Sequence, residues 1–177
     1  RRYTFIIKKG RSIMDRKTEG FSIRFAEEKD VPLILKFIKG IAEYEKMLDQ
    51  VVATEELLRE WVFEKQSAKV IIGELDGVPV GFSLFFHNFS TFMGRAGLYI
   101  EDIFVWPEYR GKGFGKALFL YLANLAHEEG CGRMEWCCLD WNQPSIDFYR
   151  SMGACSMDGW STYRLTKEQL KELSEKC

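Results

Sequence analysis

The sequence has few of the residues that build disulfide frameworks or metal sites. Its 177 residues include five cysteines, an odd number at irregular spacing, and only two histidines. No zinc-ligand pattern can be assembled from them. Cys137 and Cys138 are adjacent on a predicted strand, so we expect them to point to opposite faces and pack in the core. These features predict reduced cysteines, no bound metal and a cytoplasmic protein.

Long apolar runs, low-complexity tracts, internal repeats and interior linkers are also missing. No segment approaches the roughly 20 apolar residues of a transmembrane helix. The apolar run at residues 3–7 is too short for a signal peptide. The length suits one domain with a sizeable core. Hydrophobic residues make up 46% and aromatic residues 15%, which excludes a disordered chain.

The net charge is only −1, but the charged residues are unevenly distributed along the chain. Residues 1–20 carry seven basic and two acidic side chains, a balance of +5, which leaves −6 for the remainder. An acidic body argues against nucleic acid as the main partner and suits a cationic ligand. We expect residues 1–20 to be an upstream, non-native or disordered extension, with a transit peptide less favoured. The folded domain is predicted to span residues 21–177.

The hydrophobic pattern predicts alternating strands and helices. Strands are predicted at 21–25, 69–75, 80–86, 98–105, 133–139 and 160–165, with a hairpin turn at 76–79. Helices are predicted from Asp30 to Glu45, at 113–129 and at 144–152. Another should begin at Thr54 and bury a stripe formed by Leu57, Leu58, Trp61 and Val62. Together these elements predict a single α/β domain whose mixed, mostly antiparallel sheet is flanked by helices.

The most informative segment joins the predicted strand 98–105 to the predicted helix 113–129. Three glycines let the backbone bend and let a ligand approach closely: Gly111, Gly113 and Gly115. The unpaired N–H groups and the dipole of the helix add positive potential. Three side chains add whole charges: Arg110, Lys112 and Lys116. The segment predicts a pyrophosphate-binding turn. It has neither Rossmann nor Walker A spacing, and a merely flexible turn is the alternative.

The spacing R-x-x-G-x-G after a strand ending in V-x-P resembles the acetyl-CoA signature of the GNAT N-acetyltransferase superfamily. The predicted order of elements across residues 21–165 resembles the GNAT fold. Segments 42–45, 99–105 and 140–149 resemble the diamine acetyltransferase branch, whose members acetylate spermidine-type polyamines or thialysine-like amino acids. This resemblance implies acetyl-CoA as co-substrate and usually a homodimer, which the predicted strand 160–165 could support.

The resemblance also implies a set of cofactor contacts. Main-chain groups of the strand end would pair with the pantetheine arm: Ile103, Phe104 and Val105. The turn would hold the pyrophosphate through residues 110–116, including Phe114. Asn142 and Ser145 resemble coenzyme A contacts, although either could instead cap a helix.

Acetyl transfer needs a deprotonated amine, and amines with a pKa near ~10 are mostly charged at neutral pH. Glu101 is our candidate base, because it lies mid-strand among apolar residues just before the turn. We expect burial to raise its pKa; a solvent-facing carboxylate or a pair with Arg95 is the alternative. The resemblance implies substrate binding and water-mediated base work for Glu101. It also implies that Tyr149 protonates the coenzyme A thiolate, although Tyr149 fits an ordinary apolar helix face.

Substrate choice depends on an acidic, aromatic set that would face an ammonium group: Tyr44, Glu45, Glu101 and Asp102. Glu43 and Glu45 could instead form a solvated helix end. Residues 87–95 contain no carboxylate, which disfavours a long polyamine and favours the thialysine-type branch. Arg95 could face an amino-acid carboxylate or lie in solvent. A protein or peptide N-acetyltransferase and a non-catalytic acyl-CoA-binding module are the alternative functions.

Overall fold

The computed structural model describes residues 20–176, which divide into two compact units, residues 20–137 and 138–176. The first unit contains five strands: β1 (Phe21–Phe25), β2 (Lys69–Leu75), β3 (Val78–Ser90), β4 (Arg95–Val105) and β5 (Met134–Trp136). It also contains three helices: α1 (Val31–Tyr44), α2 (Glu55–Leu58) and α3 (Phe114–Glu128). The second unit contains α4 (Gln143–Ser151) and α5 (Lys167–Ser174). The predicted extension lies outside the described residues, apart from Gly20.

The strands form one sheet in the order β1-β2-β3-β4-β5. Neighbours pair antiparallel from β1 to β4, and β5 pairs parallel to β4. The mixed, mostly antiparallel sheet is therefore confirmed. The turn between β2 and β3 has positive φ at both Asp76 (50°) and Gly77 (79°). Two positive φ angles are typical of a type I′ hairpin, which matches the right-handed twist of the strands.

Helix α1 packs on the sheet through its apolar face, where Val31, Ile34 and Phe37 are fully buried. The Phe37 ring stacks on Phe82, with centroids 4.9 Å apart, and on Trp106, at 5.0 Å. One turn further on, a Cβ at Gly40 would lie 2.5 Å from the Trp106 ring. Glycine thus permits the C-terminal half of α1 to approach the residues that follow β4.

Two predicted helix starts are correct in position but differ in detail. Thr54 caps α2, since its Oγ1 accepts a hydrogen bond from the N–H of Leu57 at 3.2 Å. After Leu58 the chain continues as a π-helix, Arg59–Glu64. Leu58 and Val62 are buried, but Leu57 and Trp61 are exposed, so the predicted stripe is half as wide. The two buried residues are four positions apart, as expected for a single helix face.

Asp30 precedes α1 as predicted, but its side chain does not cap that helix. Its carboxylate accepts from the N–H of Glu27 at 2.8 Å and from Arg24 Nη1 at 2.6 Å. These two partners hold the carboxylate toward β1 and away from the first turn of α1. The hydrogen bond from Arg24 is the main reason that the pKa of Asp30 lies below its ordinary range.

The predicted strands near the C-terminus are wrong or too long. β5 covers Met134–Trp136, and Cys137 and Cys138 lie beyond it, with Cys137 exposed. The expectation that both cysteines pack in a strand core is therefore wrong. Residues 160–165 form no strand, and their three large apolar side chains are exposed: Trp160, Tyr163 and Leu165. Alternation alone does not make a strand, because ladder hydrogen bonds require a partner.

The second unit contains one helix that was not predicted. Helix α5 begins with a capping box, in which Thr166 Oγ1 accepts from the N–H of Gln169 and the Gln169 side chain accepts from the N–H of Thr166. The T-x-x-Q spacing was the available sequence signal. Helix α4 confirms the prediction and ends before Gly153, whose φ is +88°. None of the described helices is long and apolar enough to cross a membrane.

Candidate active site

The site begins at an irregularity in β4. Leu84 lies opposite Asp102, but Phe85 lies opposite Ile100, so Glu101 is one extra residue in the strand. This is a β-bulge, which interrupts the alternation of side chains between the two faces of a sheet. Fully buried Ser83 donates from Oγ to the carbonyl of Asp102 at 2.6 Å. Because of the bulge, the consecutive carboxylates of Glu101 and Asp102 are not required to point to opposite faces of the sheet.

Three carboxylates converge around the bulge, and we call Glu45, Glu101 and Asp102 the acidic trio. Burial, together with the negative charges of Glu101 and Glu45, raises the pKa of Asp102 to about 6. Half-buried Glu45 is the residue that follows α1, and burial also raises its pKa. Glu43, by contrast, is exposed. The region therefore has a concentration of negative charge that a bound cation would relieve.

The structure corrects the expected environment of Glu101. Its side chain is exposed, not buried. The carboxylate that burial perturbs most is its neighbour Asp102, which sequence reasoning had assigned only to substrate contact. Glu101 forms no ion pair with Arg95 or with any other residue in the range 20–176. The bulge accounts for the difference, since a register shift is not visible in the pattern of one strand.

Arg95 does not lie where an amino-acid carboxylate would need it. It is exposed at the first position of β4, six residues before Glu101. At about 3.3 Å per strand residue, this separation is roughly 20 Å. A small amino acid whose amine contacts the acidic trio would not reach Arg95.

Beyond the bulge, β4 has an open edge. Residues 103–105 pair with β3 on one side, where Ile103 lies opposite Ser83 and Val105 opposite Gly81. On the other side, β5 pairs only with Leu98–Ile100. Within the described sheet, residues 103–105 therefore have a strand partner on one side alone. An extended ligand with amide groups, such as a pantetheine arm, could add to such an edge.

The predicted pyrophosphate turn has the required backbone geometry. Gly111 (φ +73°) and Gly113 (φ +91°) both adopt the left-handed conformation that favours glycine. Gly113 is the N-cap of the 15-residue α3 and supplies no side-chain cap. The first N–H groups of α3 are thus open to an anion. A Cβ on Gly111 would meet nothing within 4 Å, and one on Gly115 only Val105 Cγ2 at 3.8 Å. The backbone of these residues is therefore not covered by neighbouring atoms at the positions of a Cβ.

The turn carries three basic side chains whose ion pairs decide whether it can attract an anion. None of its three cations has a carboxylate partner within the part of the chain that the structure describes: Arg110, Lys112 and Lys116. Lys112 Nζ lies 5.0 Å from the centroid of the Tyr109 ring. Uncompensated cations beside an uncapped helix N-terminus suit an anionic ligand.

Arg110 makes contacts that sequence reasoning did not anticipate. Its Nε donates to the carbonyl of Val105 at 2.9 Å. Its guanidinium carbon lies 4.6 Å from the ring centroid of Tyr44 and 5.2 Å from that of Phe104. Arg110 therefore brings the predicted substrate residue Tyr44, the open strand edge and the turn together.

The other predicted site residues belong to the second unit. Asn142 is buried and caps α4, and its Oδ1 accepts from the N–H of Ser145 at 3.4 Å. The helix-cap alternative for Asn142 is thus confirmed. Tyr149 lies on α4, half-buried, with its ring 5.4 Å from that of Phe148 in an edge-to-face arrangement. The roles of Asn142, Ser145 and Tyr149 toward coenzyme A remain predictions.

Sequence reasoning also missed one group of possible metal ligands. The ligand atoms of His87, Glu129 and Cys131 lie within 4.8 Å of one another. Glu129 Oε2 is 2.7 Å from His87 Nε2, and Glu129 Oε1 is 3.8 Å from Lys69 Nζ. These contacts satisfy the Glu129 carboxylate without an ion. His87 lies 42 positions before Glu129, so a spacing rule does not detect the group.

Comparison with known proteins agrees with this geometry. Residues 38–154 match the Acetyltransferase (GNAT) family. The chain is 37% identical over 166 residues to a thialysine N-epsilon-acetyltransferase of Bos taurus, which covers 87% of this chain and 97% of that protein. It is 33% identical over 199 residues to an L-ornithine N5-acetyltransferase of Arabidopsis thaliana, covering 86% and 87% respectively.

Solved structures share the fold. An integron cassette protein of V. cholerae superposes with a TM-score of 0.74 at 27% identity, covering 88% of this chain and 98% of that one. Enzymes of the GNAT family use acetyl-CoA as co-substrate, and the open strand edge and the glycine turn both fit that molecule. The bulged strand, the cationic turn and these similarities lead to one conclusion: the chain belongs to the GNAT acetyltransferase family and is an acetyltransferase that acts on amines.

Proposed function

We propose that the protein transfers the acetyl group of acetyl-CoA directly to a primary amine of a small cationic substrate. A thialysine-like amino acid or short diamine is favoured over a long polyamine. The observation that carries this proposal is the acidic trio, because the negative charges of Glu101 and Glu45 act on the Asp102 carboxylate and such a cluster suits an ammonium group. The two relatives described above are named for acetylating thialysine and L-ornithine, both cationic amino acids.

The trio would first bind the ammonium and then remove its proton. Glu101 is the proposed base and acts through a water molecule, since its side chain is exposed. Asp102 and Glu45 would hold the remaining positive charge of the substrate. A carboxylate with a pKa of about 6, as at Asp102, also accepts a proton more readily than an ordinary aspartate. The neutral amine nitrogen then bonds to the acetyl carbon as the carbon–sulfur bond breaks.

Tyr149 is the proposed acid. The departing thiolate takes one proton from the neutral phenol, which can donate it without carrying a charge into the site. The proton that the nitrogen loses as the amide forms then restores the phenol. Main-chain groups of residues 103–105 would bind the pantetheine arm, together with Asn142 and Ser145. The turn at residues 110–116 would hold the pyrophosphate. No covalent enzyme intermediate is required.

Thiol release from acetyl-CoA tests the proposal across a panel of thialysine, L-ornithine, L-lysine, diaminopropane, spermidine and a basic peptide. We expect a small diamine or cationic amino acid to give the highest kcat/KM. Thiol release with the basic peptide alone would indicate that the protein acetylates proteins or peptides instead. Tight acetyl-CoA binding without release from any amine would indicate a non-catalytic acyl-CoA-binding module.

Tyr149→Phe separates chemistry from binding in the same assay. We expect kcat to fall by about 10²-fold or more, within the range for loss of one general acid, while the Kd for acetyl-CoA changes little. Tyr163→Phe is the matched control, because that hydroxyl lies on an exposed segment. An unchanged kcat in Tyr149→Phe would remove Tyr149 from the acid role.

We also propose a cytoplasmic homodimer. The cysteines at 131, 137, 138 and 155 are free, which suits a reducing compartment. Trp160 and Tyr163 expose large apolar surfaces in the second unit, which suits a subunit contact. Light scattering after gel filtration gives the mass directly, and a monomer at micromolar concentration would contradict the dimer.

A further inference from the structure

A second group of chemically active side chains lies at the end of α3 that is remote from the pyrophosphate turn. Its members are His87 on β3 and two residues that directly follow α3, Glu129 and Cys131. The ligand atoms of the three residues lie within 4.8 Å of one another. Helix α3 has 15 residues, so about 22 Å of helix separates the group from the turn. The group is therefore distinct from the residues that would hold the pyrophosphate.

The backbone at the end of α3 holds Glu129 and Cys131 in a fixed relation. Gly130 between them has a φ of +71°, the left-handed conformation in which many helices end. The N–H of Cys131 donates to the Ala126 carbonyl at 2.8 Å, which is the 6→1 hydrogen bond of a Schellman motif. His87 is held independently by the ladder between β3 and β4. All three side chains thus extend from backbone that regular hydrogen bonds already order.

The two oxygens of the Glu129 carboxylate have different partners. Oε2 lies 2.7 Å from His87 Nε2, and Oε1 lies 3.8 Å from Lys69 Nζ. In the first contact one proton lies between Nε2 and Oε2, and a metal ion that replaces this proton would bond to both atoms. Monodentate binding through Oε2 leaves the ion pair with Lys69 in place. The Glu129 carboxylate is thus satisfied without an ion and is also able to bind one.

The donor atoms of the group select the metal. Imidazole nitrogen, carboxylate oxygen and thiolate sulfur are all zinc ligands, whereas magnesium and calcium prefer oxygen. Zinc bonds of about 2.0–2.3 Å in tetrahedral geometry place the ligand atoms about 3.3–3.8 Å apart, so side-chain shifts of about 1 Å suffice. Once the Cys131 thiol has released its proton, its thiolate and the Glu129 carboxylate neutralise a divalent ion.

We propose that His87, Glu129 and Cys131 bind Zn²⁺, with water as the fourth ligand. The side chains of His87 and Glu129 are 30% and 35% exposed, so the ion reaches the site from solvent and keeps one water. Bound zinc joins the end of α3 to β3 and fixes the chain three residues before β5 begins. Its role is structural, and acetyl transfer does not depend on it. The site corrects the expectation, drawn from sequence spacing alone, that no metal is bound.

Calorimetric titration of Zn²⁺ into the metal-free protein, prepared without a histidine tag, tests the proposal. We expect one Zn²⁺ per chain with a micromolar or lower Kd. Zn²⁺ at about 100 times its Kd should raise Tm by about 5–10 °C. Cys131→Ala and His87→Gln should each weaken binding by at least about 10-fold. Cys155→Ala and His127→Gln are the matched controls, because they remove the same residue types at exposed positions outside the group.

Cobalt identifies the sulfur ligand directly. Co²⁺ bound by a thiolate absorbs light through charge transfer from sulfur to the metal. We expect this band in the wild type and in both control variants, and its loss in Cys131→Ala. Circular dichroism melting of each metal-free variant checks that the fold is retained. Exposed His87→Gln supplies an independent result if the change at half-buried Cys131 lowers stability.

The outcomes decide the site without reference to acetyl transfer. Absence of saturable binding at micromolar Zn²⁺ would overturn the proposal, and so would a Kd that neither Cys131→Ala nor His87→Gln changes. Loss of the ion or of the cobalt band in Cys155→Ala or His127→Gln would assign the metal to other residues and refute the site. None of these measurements uses an amine or acetyl-CoA, so the zinc site and the proposed function are tested separately.

Discussion

Replacing Asp102 with Asn should stabilise the protein at neutral pH while it weakens the site. Burial and two neighbouring carboxylates raise the pKa of Asp102 from the ordinary value of 3.8 to about 6. A raised pKa means that ionisation of this group opposes folding. A rise of this size in the pKa lowers the free energy of unfolding by about 3 kcal/mol once the group is fully ionised. Because Asp102 is only partly enclosed, we expect Asp102→Asn to gain about 1–2 kcal/mol at pH 8.

The raised pKa of Asp102 determines how the stability gain of Asp102→Asn varies with pH. Between pH 3.8 and about 6, folded Asp102 is still protonated whereas the unfolded chain has released that proton. The folded state therefore binds more protons in this window, and the contribution of Asp102 to stability falls as pH rises through it. Asn has no such dependence. The gain of Asp102→Asn should thus be small near pH 4, grow toward pH 6 and be constant above about pH 7.

Urea unfolding at pH 4, 6 and 8 measures this gain, and Asp49→Asn is the control because it makes the same chemical change at an exposed position. Thiol release with the preferred amine measures the cost, which we expect as a rise in KM. Equal stability of Asp102→Asn and Asp49→Asn at pH 8 would refute the burial argument. A gain that does not vary with pH would assign the effect to packing, and an unchanged KM would remove Asp102 from the substrate site.

Three further predictions follow from the backbone and the turn. Gly111→Ala should cost about 1–2 kcal/mol of unfolding free energy in urea, because φ is +73° there; no loss would show that the turn relaxes. Gly40→Ala should raise the amine KM and lower Tm, since the new Cβ would lie 2.5 Å from the Trp106 ring; an unchanged KM would separate α1 from the site. Arg110→Glu should weaken coenzyme A binding by at least about 10-fold, whereas Arg150→Glu, exposed on α4, should not; equal losses would contradict the pyrophosphate turn.

Much of the fold follows from local patterns in the sequence. The hairpin at 76–79 needs only residues that tolerate positive φ, and Asp76 and Gly77 provide them. Helix α3 begins at Phe114, one residue after the predicted start, because Gly113 is its N-cap. These features depend on a few neighbouring residues. The predicted strand at 160–165 is wrong because a strand needs a pairing partner, which can be distant in sequence. Alternation of apolar and polar residues does not reveal that partner.

The site was harder to predict than the fold because it depends on register. Glu101 looks buried when β4 is considered alone, since its neighbours Ile100 and Ile103 are apolar. Only the pairing of Leu84 with Asp102 and of Phe85 with Ile100 shows the bulge that exposes it. The contact of Arg110 with Tyr44 likewise joins residues 66 positions apart. The sequence identifies Arg110 and Tyr44 as candidate site residues from their chemistry, but it does not show that their side chains are in contact.

The acidic trio explains why a site built for cations should be unstable without one. Asp102 would be easier to ionise alone, because the negative charges of Glu101 and Glu45 add to the effect of its own burial. An ammonium group replaces repulsion by attraction, so its binding should lower the pKa of Asp102 and release protons near pH 6. It should also raise stability, because a ligand that binds only the folded state shifts the equilibrium toward it. The same charges that weaken the empty site therefore favour a cationic amine over a neutral one.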